Sequence, residues 1–249
     1  MQNIRIVLVE TSHPGNIGAI ARAMKNMCLK ELVLVSPKRF PDEEAIARSS
    51  GATDILDSAR LVTSLEEAVG DCKLVIGASA RQRDAELWQE LDPRQCAALT
   101  LEQSQNAPVS LVFGRESSGL TKAELDRCTH LMHIPSNPEY TSLNIAMAVQ
   151  VMAYELRMAS HVPVSSSAEP LVLPAATVEK MEGLFAHLQQ ALQDIGFIHS
   201  EQDGKMMQKL RRFFHRASPD DKEINILRGI LSAAQGVKSM RSDASNKKT

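Results

Sequence analysis

The sequence lacks the short motifs that mark the commonest nucleotide-binding and hydrolytic folds. Its 249 residues contain no GxGxxG, GxxxxGK[ST], HExxH or GxSxG pattern. This excludes a dinucleotide fingerprint and a P-loop, and it removes the usual signatures of a zinc protease or an α/β-hydrolase. The seven histidines show no ligand spacing either, so we expect no metal site.

Cysteine is also sparse, and its spacing excludes two further classes of protein. The four cysteines, Cys28, Cys72, Cys96 and Cys128, lie far apart and form no CxxC pair. A zinc ribbon or a disulfide framework needs closer and regular spacing. We therefore expect reduced thiols in a cytosolic protein.

Neither a membrane nor DNA is an expected partner. No apolar run approaches transmembrane length, and the chain enters a strand pattern at its N-terminus without a signal-peptide pattern. The net charge of −2 gives no overall sign of nucleic-acid binding. We expect a cytoplasmic protein.

What the chain does contain is a regular alternation of apolar strands and helical segments over about its first 155 residues. Buried parallel strands read as nearly continuous runs of β-branched residues, and helices of the crossover connections separate them. The pattern predicts an α/β fold with a Rossmann-like parallel sheet and helices on both faces. The predicted strands are Ile4–Val9, Leu32–Val35, Arg60–Val62, Leu74–Ile76, Val109–Phe113 and Leu131–Ile134.

Composition and charge divide the chain. Residues 177–249 hold 12 Lys and Arg against 9 Asp and Glu, a net charge of +3, and the remainder holds 16 against 21, a net charge of −5. A proline- and serine-bearing stretch separates the two regions and is typical of a linker. The predicted organisation is an α/β domain at 1–158, a linker at 159–176, a small helical extension at 177–235 and a disordered polar tail at 236–249.

The helical extension contains a strongly basic segment, Lys205–Arg216. It carries five Lys or Arg residues and one His, with no acid. Such a segment can bind a polyanion such as RNA. A basic helix can equally be a solvated face, and the sequence leaves both interpretations open.

The most informative stretch runs from Leu131 to Tyr154. A short strand is followed by a loop held by Pro135 and Pro138, and a long apolar helix is predicted to begin at Ser142, whose hydroxyl can cap the first turn. A strand, a rigid loop and a helix N-terminus in succession form a possible ligand site. An ordinary strand-to-helix connection fits the same pattern.

Together with three loops upstream, this stretch resembles the motifs of a known superfamily. The loops contain Asn16–Arg22 (NxGAIAR), Gly77–Ala80, Leu111–Leu120 (LVFGRExxGL) and Ile134–Asn144, which opens the form IPxNPEYxSLNxAMAVQV. These forms resemble the SPOUT superfamily of RNA methyltransferases, in its TrmH-like branch. The likeness covers residues 1 to about 158, and the linker and basic extension are similar to that group's tRNA-binding extension.

The resemblance implies a fold, a cofactor and an assembly. Its members tie the C-terminal part of the sheet into a trefoil knot, bind S-adenosylmethionine there through loop backbone, use no metal and form homodimers. The apolar helix Ser142–Met158 suits a dimer face, although simple core packing explains its pattern equally well. The cofactor-binding residues implied are Ala78, Ser79, Ala80, Gly114, Ile134, Thr141, Ser142 and Leu143.

The resemblance also implies catalytic residues. Arg22 matches an invariant arginine beside the target ribose, and either accepts the 2′-OH proton or acts as a clamp and oxyanion stabiliser. A guanidinium has no free lone pair, which favours the clamp. Ser142 either contacts the 2′-oxygen, caps its helix, or does both. The catalytic set is Arg22, Asn16, Glu116, Ser142 and Asn144.

The implied function is 2′-O-methylation of the cytidine or uridine at position 32 in the anticodon loop of tRNA. The implied RNA-binding residues are Arg83, Arg115, Lys205, Lys209, Arg211, Arg212 and Arg216. Arg83 can also be a solvated loop charge. The alternatives are the same chemistry at the tRNA wobble nucleotide or in an rRNA loop, a non-catalytic RNA-binding factor on this scaffold, and an unrelated nucleotide-binding α/β protein.

Overall fold

The computed structural model of the chain describes residues 1–80, 90–161, 175–198 and 203–245. The chain divides into two compact units, Met1–Pro170 and Leu171–Thr249. Residues 162–174, which form most of the predicted linker, lie outside the described residues. The domain boundaries predicted from the sequence therefore remain a proposal.

The apolar runs of the first unit form one sheet. Its strands are β1 (Ile4–Val9), β2 (Glu31–Val35), β3 (Arg60–Val62), β4 (Leu74–Ser79), β5 (Glu90–Leu91), β6 (Val109–Phe113) and β7 (His130–His133). They lie in the order β3-β2-β1-β6-β4-β7-β5, and each pairing between them is parallel. The predicted parallel α/β sheet is confirmed. Strand β5 was not predicted, because two residues show no periodicity.

Helices connect these strands. They are α1 (Pro14–Asn26), α2 (Glu43–Ser49), α3 (Thr53–Asp57), α4 (Leu65–Val69), α5 (Pro93–Ser104), α6 (Lys122–Leu125) and α7 (Ile145–Ala159). Helix α6 begins with a capping box. The Thr121 hydroxyl accepts from the Glu124 amide, and the Glu124 carboxylate accepts from the Thr121 amide.

The core explains why β1 is a nearly continuous apolar run, interrupted only by Arg5. Its residues Ile4, Ile6 and Leu8 pack in one hydrophobic cluster with Ile17 and Ile20 of α1 and with the buried side of α7. The residues between them, on the opposite face, are buried or nearly so. Each fully buried aliphatic side chain contributes about 1.5–3 kcal/mol, so covering both faces fixes the strand at the centre of the sheet.

The strand order places a crevice between β1 and β6. The two strands are neighbours, yet the chain leaves β1 towards β2 on one side and leaves β6 towards β7 on the other. Loops that diverge in this way leave a gap at the carboxyl ends of parallel strands, where α/β proteins bind ligands. The trefoil knot implied by the resemblance stays a prediction.

Helix α7 begins later than predicted. Its N-cap is Asn144, whose Oδ1 accepts a hydrogen bond from the Ala146 amide at 2.8 Å. The predicted cap at Ser142 is wrong. Asn caps a helix as well as Ser does, and the side chain nearest the free amides takes the position. The loop that follows β7 therefore continues to Leu143 and is longer than expected.

The two sides of α7 differ in burial, although both are apolar. One side, which includes Val149, Met152 and Leu156, lies in the core. The opposite side exposes Met147 (60%) and Tyr154 (48%), with Met158 in line one turn further on. Core packing therefore explains only half of the apolar pattern of this helix.

The second unit is helical. It consists of α8 (Val178–Asp194), α9 (Asp203–Ala217) and α10 (Asp221–Ser245). The amphipathic pattern predicted for α8 is confirmed, because its apolar residues are buried. Leu184 and Phe185 pack with Ile224 of α10, and Leu188 packs with Met207 of α9.

The sequence predicts that Ser218 caps helix α10, with Pro219 at its first position, and that the helix ends near Gln235 and Gly236. The structure differs from this prediction at both ends. Asp220, rather than Ser218, caps it by accepting from the amides of Lys222 at 2.7 Å and Glu223 at 2.8 Å. Ser218 has a left-handed φ of 47° and stands outside the helix. The helix continues to Ser245, so the tail predicted to be disordered is helical up to that residue. Once a helix has formed its first turn, each further residue adds one backbone hydrogen bond. A helix can therefore continue through a segment of polar residues.

Candidate active site

Glu116 organises the loop that follows β1. Its carboxylate accepts hydrogen bonds from the Ser12 amide at 3.0 Å, the Ser12 hydroxyl at 3.1 Å, the His13 amide at 3.2 Å and the Asn16 side-chain amide at 3.1 Å. Glu116 itself lies in the turn after β6. A single carboxylate thus bridges the two loops that border the crevice.

These contacts hold Glu116 in its ionised form. Burial raises the pKa of the carboxyl, but the hydrogen bonds from the Ser12 amide and the Asn16 side chain outweigh it, and the pKa is lowered from its ordinary value. The carboxylate oxygens are both occupied by donors. Glu116 is therefore arranged as a fixed negative group and not as a base waiting for a proton.

Asn144 extends the network to a third loop. Its Nδ2 donates to Oδ1 of Asn16 at 3.1 Å, while its Oδ1 caps α7. Three of the predicted catalytic residues, Asn16, Glu116 and Asn144, are thereby brought together. Asn16 lies in the first turn of α1, Glu116 in the turn after β6 and Asn144 at the N-cap of α7. These segments follow β1, β6 and β7, so the network lies at the carboxyl edge of the sheet.

The other two predicted catalytic residues stand apart from this network. Ser142 is exposed in the loop before α7. Arg22 is exposed on α1, and its Nη1 donates to the Ser50 hydroxyl at 3.3 Å. Ser50 is the C-cap of α2. The guanidinium of Arg22 is thus held at the end of α2.

Gly18, in the first motif, explains how α2 can lie so close to α1. A Cβ on Gly18 would lie 2.1 Å from the carbonyl oxygen of Ala45 in α2. Only a residue without a side chain allows the two helices to approach at this point. The motif therefore encodes a helix contact in addition to polar site residues.

Five of the residues predicted to bind the cofactor lie at the ends of three neighbouring strands, and the other three, Thr141, Ser142 and Leu143, lie in the loop before α7. Ala78 and Ser79 end β4, which pairs with β7 on one side and with β6 on the other. Gly114 follows β6 and Ile134 follows β7. All eight predicted residues are half-buried or exposed, and none carries a charged side chain. An accessible, uncharged rim of this kind fits a nucleoside that is recognised by backbone groups.

Gly114 is required by the turn that it opens. A Cβ there would lie 2.2 Å from the carbonyl carbon of Gly119. The turn is closed by paired backbone hydrogen bonds between Arg115 and Gly119, and Gly119 has a left-handed φ of 68°. Both glycines are thus set by backbone geometry.

Arg115 is engaged within the protein. It forms ion pairs with Glu10 and with Glu124, the latter through hydrogen bonds of 2.9 and 3.0 Å, and its side chain is 20% exposed. The hydrogen bond from Arg115, with one from Lys38, lowers the pKa of Glu10 to about 2. These contacts favour a role in fixing the loop over a direct contact with an RNA phosphate.

The predicted RNA-binding residues of α9 separate into two groups. Lys205, Lys209, Arg212 and Arg216 recur at helical spacing on the side away from the core, and each is exposed or half-buried. Arg211 lies on another side. It binds the Glu182 carboxylate through two hydrogen bonds of 2.5 and 2.8 Å, and its guanidinium carbon is 4.5 Å from the centre of the Phe185 ring.

We call the four residues Lys205, Lys209, Arg212 and Arg216 the basic stripe. The contacts of Arg211 favour a structural role for that residue, as they hold α9 against α8. Arg83 lies outside the described residues. Among the residues that the structure describes, no group of three His, Cys, Asp or Glu could hold a metal ion, and no helix has the length and apolarity to span a membrane.

The sequence analysis missed three donors of the network, which are the backbone amides of Ser12 and His13 and the Ser12 hydroxyl. Their only signal was their place in the loop between β1 and the first motif. Backbone donors have no residue signature, so a pattern of side chains could not identify them.

Comparisons with family models match both units. The model of the SpoU rRNA Methylase family matches residues 3–154. The model of the C-terminal domain of the tRNA methyltransferase TrmJ matches residues 179–247.

Individual relatives match nearly the whole chain. The tRNA (cytidine/uridine-2′-O-)-methyltransferase TrmJ of Pectobacterium atrosepticum is 50% identical over 94% of this chain and 98% of its own length. The tRNA (cytidine/uridine/adenosine-2′-O-)-methyltransferase TrmJ of Pseudomonas aeruginosa is 50% identical over 95% of each chain. The crystal structure of TrmJ from Z. mobilis has a TM-score of 0.79 and 32% identity, and the match covers 92% of this chain and 97% of that one.

Proposed function

The chain belongs to the SpoU rRNA methylase family, and we propose that it methylates the 2′-OH of the pyrimidine at position 32 in the tRNA anticodon loop, with S-adenosylmethionine as the donor. The chain is a tRNA 2′-O-methyltransferase, because it is 50% identical to two such enzymes over nearly its whole length. The observation that supports tRNA over ribosomal RNA is the match of the second unit to the TrmJ C-terminal domain.

The crevice between β1 and β6 is the place we assign to the target ribose. The network of Glu116, Asn16 and Asn144 joins the turn after β6 to the first turn of α1 and the N-cap of α7, so these residues fix the shape of the site before RNA arrives. Because the Glu116 oxygens are occupied by donors, we assign to it the positioning of the first loop. A preorganised site of this kind lowers the entropic cost of aligning the 2′-oxygen with a methyl donor.

The cofactor fits the uncharged rim formed by the ends of β4, β6 and β7. Backbone groups of Ala78, Gly114 and Ile134, at the ends of these strands, would hold its nucleoside. When bound, S-adenosylmethionine supplies a methyl group made electrophilic by the attached sulfonium. The protein then needs only to orient the 2′-oxygen and to stabilise the charge that develops on it.

Arg22 and Ser142 are the residues we assign to that charge. The guanidinium of Arg22 offers N–H donors in a planar fork and no acceptor, so it can clamp a phosphate and stabilise a developing oxyanion. Ser142 is exposed and does not cap α7, which leaves its hydroxyl for the 2′-oxygen.

The RNA body is assigned to the basic stripe of α9. Its four cations stand on one side of the helix, where they can follow a phosphate backbone without sequence readout. We take position 32 from the motif resemblance. A pyrimidine in a single-stranded loop can be splayed out, which makes its ribose accessible.

We also propose that the enzyme is a cytoplasmic homodimer. The exposed side of α7, which carries Met147, Tyr154 and Met158, is an apolar surface next to the site loops. A second copy of the chain is the partner that would cover it, in keeping with the symmetric dimers common among homo-oligomers.

The proposed function is tested by methyl transfer. The purified chain is incubated with methyl-labelled S-adenosylmethionine and either unmodified tRNA transcripts or ribosomal RNA, and the product is digested to nucleosides. We expect labelled 2′-O-methylcytidine or 2′-O-methyluridine from tRNA alone. Transfer only to ribosomal RNA would contradict the substrate, and cofactor binding without transfer to either RNA would favour a non-catalytic RNA-binding factor. No binding of S-adenosylmethionine would contradict the donor.

A further inference from the structure

One aromatic side chain of α9 is exposed where the helix could have buried it. Phe213 is 53% exposed. Its neighbour Phe214 is partly buried and packs against the apolar clusters of the second unit. A phenylalanine on a helix surface leaves a large apolar ring in water, which is unfavourable unless something covers it.

The surroundings of Phe213 are cationic. Lys209 precedes it by four residues and Arg216 follows it by three, so both lie next to it on the helix surface. Residues 204–217 contain no Asp or Glu. The ring therefore stands at the edge of the basic stripe. Lys and Arg beside an exposed apolar ring disfavour an apolar protein partner, since their charges would lose water on binding.

The ring of Phe213 is also supported by aromatic contacts that lead to the core of the second unit. Its centre lies 5.3 Å from that of Phe214 at an interplanar angle of 79°, and Phe214 lies 6.2 Å from Phe185. Phe185 is 1% exposed in the core. A row of three rings thus leads from the core to the surface, and a ring supported in this way loses little conformational freedom when a ligand stacks on it.

From these observations we propose that Phe213 is a stacking platform for an unpaired nucleobase of the bound RNA. The proposal rests on the proposed tRNA-binding role of α9 and adds to it a contact with a base. Cations on a surface attract phosphates, whereas an exposed aromatic ring among them adds a face that any base can cover. A folded tRNA offers such bases in its loops, where they are not paired.

The test compares three substitutions in the full-length protein, with tRNA affinity measured across a range of salt concentrations. Phe213→Leu removes the aromatic face but keeps an apolar side chain, and it should weaken binding by about tenfold. Phe213→Trp keeps the face and should bind within about twofold of the unaltered protein. Neither should change the dependence of affinity on salt, whereas Lys209→Ala should reduce that slope by about one.

Phe197 provides the matched control. It is 65% exposed in the same unit, and no Lys or Arg occurs within seven positions of it in the sequence. Phe197→Leu should leave tRNA affinity unchanged. Circular dichroism of each variant identifies loss of folding, and a misfolded Phe213→Leu is replaced by Phe213→Met, for which the same tenfold loss is expected.

The outcomes separate the two levels of the proposal. If the unaltered protein does not bind tRNA, the proposed function is contradicted. If it binds and Phe213→Leu binds equally well, stacking is wrong while the function stands. If Phe213→Trp loses as much affinity as Phe213→Leu, the ring packs by shape and does not stack on a base, which also overturns the inference.

Discussion

At the scale of single residues, the site depends on the carboxylate of Glu116, which positions the groups around it. Glu116 accepts hydrogen bonds from the backbone and side chain of Ser12 and from Asn16. A glutamine in its place would present an amide to the same donors, and its NH₂ group would face them. The consequence should be visible in stability as well as in turnover.

Glu116→Gln should destabilise the protein by about 1–3 kcal/mol at pH 7, because hydrogen bonds to a charged group are lost. The pKa of Glu116 is lowered in the folded state. Its contribution is therefore present above the unfolded-state pKa, near 4.5, and is lost as the pH falls through the folded-state pKa. Urea unfolding should show the difference between variant and parent at pH 7 and a smaller difference at pH 3.5. A difference independent of pH would contradict the role, and Glu102→Gln, on the exposed surface of α5, is the control.

Arg22 offers a second test at this scale. Arg22→Ala should lower kcat by about 100-fold, as removal of an oxyanion-stabilising donor does, with nearly unchanged affinity for S-adenosylmethionine. Steady-state kinetics with tRNA and calorimetric binding of the cofactor measure the two effects separately. Lys30→Ala, at an exposed residue between α1 and β2, should change neither, and full turnover by Arg22→Ala would exclude the assigned role.

The sequence motifs, through the superfamily that they resemble, predicted this site in part. They identified Asn16, Glu116 and Asn144, which the structure joins in one network. They did not predict that Arg115 would form ion pairs with Glu10 and Glu124. Such pairs depend on the folded backbone and leave no mark in the local sequence. The sequence analysis also placed the cap of α7 at Ser142, since Ser and Asn are nearly equal as caps and only the backbone path decides between them.

At the scale of the secondary-structure elements, the contact between α1 and α2 positions Arg22. It depends on Gly18, above which the carbonyl of Ala45 lies too close for any side chain. The loop at the end of α2 then supplies the Ser50 hydroxyl that binds the guanidinium. Separating the two helices should therefore affect both stability and the site.

Gly18→Ala should destabilise the protein by about 1–3 kcal/mol through overpacking, although alanine is the better helix former. Gly183, inside α8, has no atom within 4 Å of the position of an added Cβ. Gly183→Ala should therefore stabilise by about 0.5–1 kcal/mol. Thermal or urea unfolding measures both. Equal effects of the two substitutions would show that the close approach of α1 and α2 is not required.

The elements themselves were largely predictable from the sequence. Buried strands such as β1 and β6 have strong apolar runs, and their predicted bounds are those of the structure. The start of α10 was not, because Ser218 and Pro219 form a good capping signal that the left-handed backbone at Ser218 overrides. The strand order was also beyond the sequence, since it depends on contacts between distant segments.

At the scale of the whole molecule, the exposed apolar side of α7 is the feature that one chain leaves unexplained. If a second copy covers it, a charge at its centre should prevent association. Met147→Glu should then elute as a monomer of 27.3 kDa in chromatography with light scattering, whereas the unaltered protein should have twice this mass. Ile46→Glu, at an equally exposed apolar residue of α2, should leave the mass unchanged. A monomeric unaltered protein would contradict the dimer.

The central claim is that one ribose oxygen of tRNA receives the methyl group. The most direct measurement uses two transcripts that differ only at position 32, one with a ribonucleotide and one with a 2′-deoxynucleotide, each incubated with the enzyme and labelled S-adenosylmethionine. We expect close to one methyl group per molecule on the first transcript and none on the second. Equal labelling of both transcripts would show that the enzyme modifies another position.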